Sequence, residues 1–316
     1  MDLSLDRIAE ASRTVDPVFL RTPQYADALL DAAVGRHVTV KVETANPLRS
    51  FKGRGADFLM SQLAPGPTVV CSSTGNFGQA VAYAARRRNR AVEVFVPENV
   101  NPAKLARMRA FGARVTLAGH DSAAADAAAR DYVAATGDRI LVEDGRDTAI
   151  AEGAGTIGVE LLASGPFDAI VVPVGDGALI AGIARWVKER APATHIVGVC
   201  ARGAPSLAES WRARRPVSTP TSSTIAEGID IRVPVPESVA RVVELVDDMV
   251  LVDDDDLLQA MRLSLDTIGV VLEPSGAAGL AAIQKQLVAG ERLATVLTGS
   301  NARPEHLPVL GLRDRP

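Results

Sequence analysis

Apolar, β-branched runs alternate with alanine-rich stretches of helical character along almost the whole chain. TVVCS (68–72) precedes NFGQAVAYAARR (76–87), and AVEVFVP (91–97) precedes NPAKLARMRAFG (101–112), which Gly112 ends. FDAIVVPVG (167–175) precedes ALIAGIARWVKERA (178–191), and HIVGVC (195–200) follows as a further strand. Continuous apolar strands are buried on both faces. That is the habit of parallel sheets, whose neighbouring strands need a crossover that a helix supplies. The fold class that follows is α/β: two doubly wound open sheets with a cleft between them. Strands within 68–142 form one compact set and those from 168 onward another. The expected division is a small domain, residues 65–146, inserted in a larger one built from 1–64 and 147–316.

Local signals place several boundaries. Asp121 or Ser122 is the expected N-cap of the helix DSAAADAAARDYVAATG. Residues 253–268 read as a helix led by acids, which suit its positive N-terminal end. The stretch 203–236, rich in Pro, Ser and Thr, reads as a long loop, either functional or poorly ordered.

Composition narrows the partners. A net charge of -4 argues against nucleic acid or an anionic membrane. The basic run ARRRNR (85–90) reads as a solvated helix end. Cys71 and Cys200 each lie in an apolar run and read as buried thiols. No two of the four histidines stand at metal-ligand spacing, there is no HExxH or CxxC, and no metal is expected. No GxSxG elbow occurs. MDLSLDRIAE has none of the charge pattern of a signal peptide, and no apolar run reaches the ~20 residues of a membrane span. A cytoplasmic location is the expectation.

Four segments carry groups suited to chemistry, three of them at strand C-terminal ends, where open α/β sheets bind ligands. SSTGNFGQ (72–79) offers free N–H groups at a helix start, with hydroxyls and the Asn76 amide beside them; a carboxylate or a phosphate fits there. VPVGDGALIAG (172–182) is a glycine turn opening a helix, a phosphate cradle without the lysine of a P-loop. VLTGSN (296–301) ends a strand in a hydroxyl, a glycine and an amide. NPLRSFKGRGA (46–56) holds Lys52 between Phe51 and Gly53. A phosphate cradle, an amine, an aromatic neighbour and a hydroxyl at a strand end together suit pyridoxal 5'-phosphate, whose aldehyde needs a lysine and whose ring nitrogen needs one partner.

The ordered set RTP, KVE, NPxxSFKGRGA, SSTGNFGQAVAYAA, VPENVNPAKLARMRAFGA, EGAGTIGVE, VPVGDGALIAGIA, TIAEGI, EPSGAAGLAA and LTGSN resembles the fold-type II pyridoxal-phosphate enzymes. Within them it is most similar to the serine/threonine dehydratases and serine racemases. The resemblance spans residues 20 to 301. It implies that Lys52 is the Schiff-base lysine and proton-transfer base, beside a wall shaped by Phe51. It implies that Asn76 meets the ring hydroxyl oxygen and Thr298 the ring nitrogen. Gly175, Asp176, Gly177, Ala178 and Leu179 would cradle the phosphate. Ser73, Thr74 and Gly75 would grip the substrate carboxylate, and Gly228 would line the substrate side by its backbone. A homodimer and a small amino-acid substrate are further implications.

Departures from the family pattern sharpen the expectations. Leu48-Arg49 replaces a common Thr-Gly, and Arg49 either points to solvent or pairs with a second acidic group on the substrate. Asp176 intrudes in a turn that is usually glycine, so its side chain is expected to point away and cap the next helix. Thr74 stands where racemases carry a serine used as second base, and Phe77 replaces a common histidine. Cys200 stands where relatives with a stabilising divalent cation carry an acid. Ser300 replaces a glycine, and Glu273 matches a family acid near the cofactor.

The implied activity is β-elimination from a hydroxy amino acid, threonine or serine by default, giving a 2-oxo acid and ammonia. β-Replacement, racemisation, and a retired binding protein that keeps the cofactor fold are the alternatives.

Overall fold

The computed structural model describes residues 1–100, 102–120 and 122–311. In chain order its strands are β1 (Gln24–Ala26), β2 (His37–Val42), β3 (Thr68–Ser72), β4 (Val92–Val96), β5 (Arg114–Leu117), β6 (Arg139–Leu141), β7 (Ala169–Pro173), β8 (His195–Ala201), β9 (Asp248–Val252) and β10 (Arg292–Leu297). The helices are α1 (Leu5–Thr14), α2 (Ala28–Val34), α3 (Lys52–Gln62), α4 (Asn76–Arg87), α5 (Pro102–Ala110) and α6 (Ser122–Ala134). They continue with α7 (Thr148–Leu162), α8 (Ala178–Arg190), α9 (Ser206–Ala213), α10 (Pro236–Leu245), α11 (Asp254–Ile268) and α12 (Pro274–Gln284).

One sheet has the strand order β1-β2-β10-β7-β8-β9 and the other β5-β4-β3-β6. Every pairing is parallel except β1 with β2, a short antiparallel edge. The smaller sheet therefore falls, in sequence, between β2 and β7 of the larger. The last strand, β10, lies in the middle of the larger sheet, with Leu293 opposite both Val38 of β2 and Ala169 of β7. β4 and β7 are buried along their whole length, as strands covered on both faces must be.

The stretch 203–236 is more regular than its composition suggests. Its SLAESWRA segment folds as α9, because Leu207 and Ala208 bury against the larger sheet's flank. The acid-led helix forms as expected, with a reciprocal capping box between Asp253 and Asp256 and Gly269 in the left-handed conformation at its end. Of the two residues expected to cap α6, Asp121 lies outside the described residues and Ser122 is the first residue of the helix itself. In ARRRNR, Arg88 pairs with buried Asp57 and Arg90 donates to the carbonyls of Leu63 and Ala64, so this helix end is tied down and not merely solvated. Cys71 and Cys200 are buried, and burial pushes both thiols up to about 12. No helix of the described residues is long and apolar enough to cross a membrane.

Helix α3 is fixed from below by charge. The Arg54 guanidinium is fully buried between Glu43, Glu160, Thr156 and Thr22. Lys41, on β2, adds a second cation at Glu160, 2.5 Å away. This cluster ties α3 to β2 and α7 two residues beyond Lys52.

Candidate active site

Residues 49–51 run alongside the end of β10. The Phe51 N–H donates to the Thr298 carbonyl (3.0 Å), the Ser300 N–H donates to the Arg49 carbonyl (2.9 Å), and Ser50 bridges Gly299. Lys52, the first residue of α3, is thereby set beside Thr298. Thr298 is itself buried at 5% exposure. The Lys52 ammonium lies 4.8 Å from the Phe51 ring centroid, a cation–π contact. It is also ion-paired with Asp144, in the turn after β6.

Asn76 opens α4 on the opposite sheet. Its amide donates to Glu273 (2.7 Å) and accepts from Asn301 (2.8 Å), and the Glu273 N–H donates to the Gly299 carbonyl (3.0 Å). The start of α4 is thus stitched to the end of β10. Burial raises the Glu273 carboxyl above the usual range, and the Asn76 hydrogen bond opposes the rise. One Asn76 amide hydrogen remains for a ligand. The loop before it carries Ser73 and Thr74, and the Ser73 hydroxyl accepts from the Gly75 N–H (3.2 Å).

The turn 175–179 links β7 to α8. A methyl group at Gly175 would lie 2.5 Å from the Gly228 carbonyl, so only glycine lets these two backbones meet. Gly177 takes φ +89 and heads α8 without any side-chain cap. The first N–H groups of a 13-residue helix are therefore left for a ligand, at its positive end. Ala178 and Leu179 are buried behind them. Gly228 is held in place by its N–H donating to the Ser275 hydroxyl (2.8 Å).

The geometry brings Phe51, Lys52, Asn76 and Thr298 together, and Gly228 joins Gly175–Leu179. Arg49 stands apart. Its side chain is exposed, its backbone has φ +54, and among the described residues it has no ion pair. Arg107 is close enough for burial and the Arg49 charge to lower its pKa.

Asp176 differs from expectation. Gly177 is the N-cap of α8 and receives no side-chain hydrogen bond, so Asp176 does not cap the helix. Its Cβ packs instead over Gly145, beside Asp144, and its carboxyl feels both Asp144 and Lys52. The backbone is pinned there by the Ser238 hydroxyl donating to the Asp176 carbonyl. Asp144 itself was not foreseen. An acid in the turn closing β6 was its one signal, and such turns are common.

The donor set fits a phosphorylated aromatic aldehyde. An amine stands beside an aromatic ring, a buried hydroxyl ends β10, and a glycine cradle faces an uncapped helix start. Gly175→Ala should weaken affinity for pyridoxal 5'-phosphate about tenfold or more, from an overpacking cost of ~1–3 kcal/mol. A fluorescence titration would read it. Unchanged affinity would remove the close approach from the binding account.

Comparison with known proteins points to the same cofactor. A family model described as "Pyridoxal-phosphate dependent enzyme" matches residues 15–299. L-threonine ammonia-lyase of Thermotoga maritima is 32% identical over 304 residues, covering 95% of this chain and 76% of that protein. Among solved structures, maize serine racemase superposes with a TM-score of 0.92 at 28% identity, covering 97% of this chain and 96% of its own. The processed form of threonine deaminase isoform 2 from Solanum lycopersicum gives a TM-score of 0.89 at 28% identity, with 98% and 90% covered.

Proposed function

From the premise that this chain belongs to the pyridoxal-phosphate-dependent enzyme family, we infer that it eliminates water from a hydroxy amino acid, threonine or serine first. The products are a 2-oxo acid and ammonia. What supports this choice is that Thr74 stands where racemases carry the serine used as second base, while Lys52 keeps the first. Elimination needs one base at the α-carbon. Racemisation needs a second on the opposite face.

Pyridoxal phosphate, when bound, supplies the electron-withdrawing ring that makes the substrate α-proton acidic. The protein supplies the rest. Lys52 Nζ anchors the cofactor and accepts the α-proton, with Asp144 holding the charge it then carries. The N–H groups at the head of α4 and the hydroxyls of Ser73 and Thr74 bind the substrate carboxylate. Asn76 holds the ring hydroxyl oxygen through its remaining amide hydrogen. Thr298 is a neutral partner for the ring nitrogen, so it does not fix a positive charge there as a carboxylate would. Charge developing at the α-carbon would then be drawn less into the ring, which would favour prompt loss of the β-hydroxyl as water. Phe51 and Leu179 wall the site with apolar surface.

The test is 2-oxo acid release by the cofactor-loaded protein from L-threonine, L-serine, their D-isomers and 3-hydroxyaspartate. Release from one or more supports elimination. A second reading, racemisation, draws on the likeness to maize serine racemase, and interconversion of isomers without release would replace the first with it. Substrate choice has its own test. Arg49→Ala should raise KM for 3-hydroxyaspartate a few-fold, about the worth of one exposed charge pair. It should leave threonine unchanged. Equal loss on both substrates would end the second-carboxylate role of Arg49.

A further inference from the structure

We propose that Asp176 works as a neutral acid inside the phosphate cradle, taking up a proton as pyridoxal 5'-phosphate binds and donating it in a hydrogen bond to a phosphate oxygen. This rests on the turn 175–179 being the phosphate site, and not on elimination being the reaction.

The geometry leaves Asp176 few other states. It stands between Gly175 and Gly177, whose backbone forms the cradle, and the Ser238 hydroxyl and Gly145 hold its backbone in place. Its side chain shares this corner with Asp144, which already serves Lys52 as ion-pair partner. The charged groups that face it are Asp144 from the turn after β6, Lys52 from the head of α3, and the more distant Asp126 of α6. Before any ligand arrives this corner holds two carboxylates and one ammonium. A phosphate adds about two negative charges. Like charges packed this closely do not all stay ionised, and the least compensated carboxyl takes a proton. Asp144 has Lys52. Among the described residues Asp176 has no cation of its own, so the proton goes there.

The ligand-free protein already leans that way. Burial, with the Asp144 charge adding to it and the Lys52 charge opposing, pushes the Asp176 carboxyl up to about 7. Phosphate raises it further. A protonated carboxyl donates where a carboxylate could only repel. The bond balance is simple: one proton leaves water and joins an Asp176 oxygen, and no covalent bond to the phosphate forms.

Protons counted on cofactor binding test this. Isothermal titration of the full-length apoprotein with pyridoxal 5'-phosphate at pH 8, in buffers of different ionisation enthalpy, gives the number taken up. The native protein should take up about one proton more than Asp176→Asn, whose amide keeps shape and donor but cannot titrate. Contributions from Lys52 and from the phosphate itself are common to both and cancel. Native affinity should accordingly fall about tenfold per pH unit relative to the variant as pH rises above the carboxyl's range. With pyridoxal, which lacks the phosphate, the proton difference should vanish. Equal counts in the two proteins overturn the proposal, as does a difference that persists with pyridoxal, since the proton then answers to the aldehyde end. Should Asp176→Asn and Gly175→Ala both leave cofactor affinity unchanged at every pH, the phosphate site itself is elsewhere. The phosphorus NMR shift of each holoprotein between pH 6.5 and 9 supplies a second readout should either variant bind too weakly for calorimetry. A shift that titrates in the native protein alone supports the proposal, and identical titrations overturn it.

Discussion

Lys52→Ala is expected to abolish 2-oxo acid release, by about ten-thousand-fold or more, and to remove the visible band of lysine-bound cofactor. A positioned proton-transfer group alone is worth up to about ten-thousand-fold. Here the same amine is also the covalent anchor, so both contributions go together. The fold should tolerate the change. Lys52 begins α3, alanine is a better helix former than any alternative there, and Asp144 and the Phe51 ring are the partners lost. Lys52→Arg separates the roles. It returns a cation to Asp144 and offers no nucleophilic amine at neutral pH, so it should be as inactive as alanine while restoring any lost stability. A visible band that survives in Lys52→Ala would put the anchor at another lysine, and the site described above would be wrong.

Arg54→Met should have the largest effect on stability, about 3–5 kcal/mol, because it strands charge in the interior. Its guanidinium meets Glu43 at 2.9 and 2.7 Å and Glu160 at 2.7 and 2.9 Å, all with no exposure of the arginine. Methionine fills the volume and satisfies none of these oxygens. Against a usual total of about 5–15 kcal/mol, that loss brings the melting temperature down by roughly 10 °C. The pH dependence carries the signature. Burial opposes the charge on Glu160, yet the hydrogen bonds and charges of Arg54 and Lys41 win and hold its carboxyl at about 2. A depressed carboxyl contributes stability that is present above its unfolded pKa of about 4.5 and lost as pH falls through 2. Native protein should therefore lose this contribution on the acid side. The variant should close the gap as acid neutralises the stranded carboxylates. A gap in melting temperature that stays constant from pH 7 to pH 4 would mean lost packing, and not stranded charge, is responsible.

Much of this architecture could be read from residues alone, for a physical reason. Strands such as VVCS and AIVVP are apolar at almost every position because both faces are covered, and the helix NFGQAVAYAARR is flanked by a glycine turn and a basic last turn. Those signals are local. β1 is three residues, mostly exposed, and exists only because β2 offers an edge. α9 sits among Ser and Pro and is decided by what Leu207 packs against. In the site, Lys52, Asn76, Gly175 and Thr298 were legible because each follows a strand end or stands beside a glycine. Asp144 was not, because it reaches Lys52 across 92 residues of chain. The helix cap expected of Asp176 is not made. A capping role is the usual fate of an aspartate before a helix, and here Gly177 takes that position while the Asp176 Cβ and carbonyl pack against Gly145 in the turn after β6.

The place of β10 has a consequence for how the molecule comes into being. It is the last strand of the described residues and it separates β2 from β7, so the larger sheet has a gap at its centre until residues 292–297 leave the ribosome. Lys52 is synthesised early, but the partner that positions its neighbour, Thr298, arrives roughly 250 residues later. The smaller sheet, whose four strands are contiguous in sequence, has no such delay. A nascent chain stalled before residue 292 would carry a finished half beside an open, apolar seam, unable to hold its cofactor and dependent on chaperones to stay apart from its neighbours.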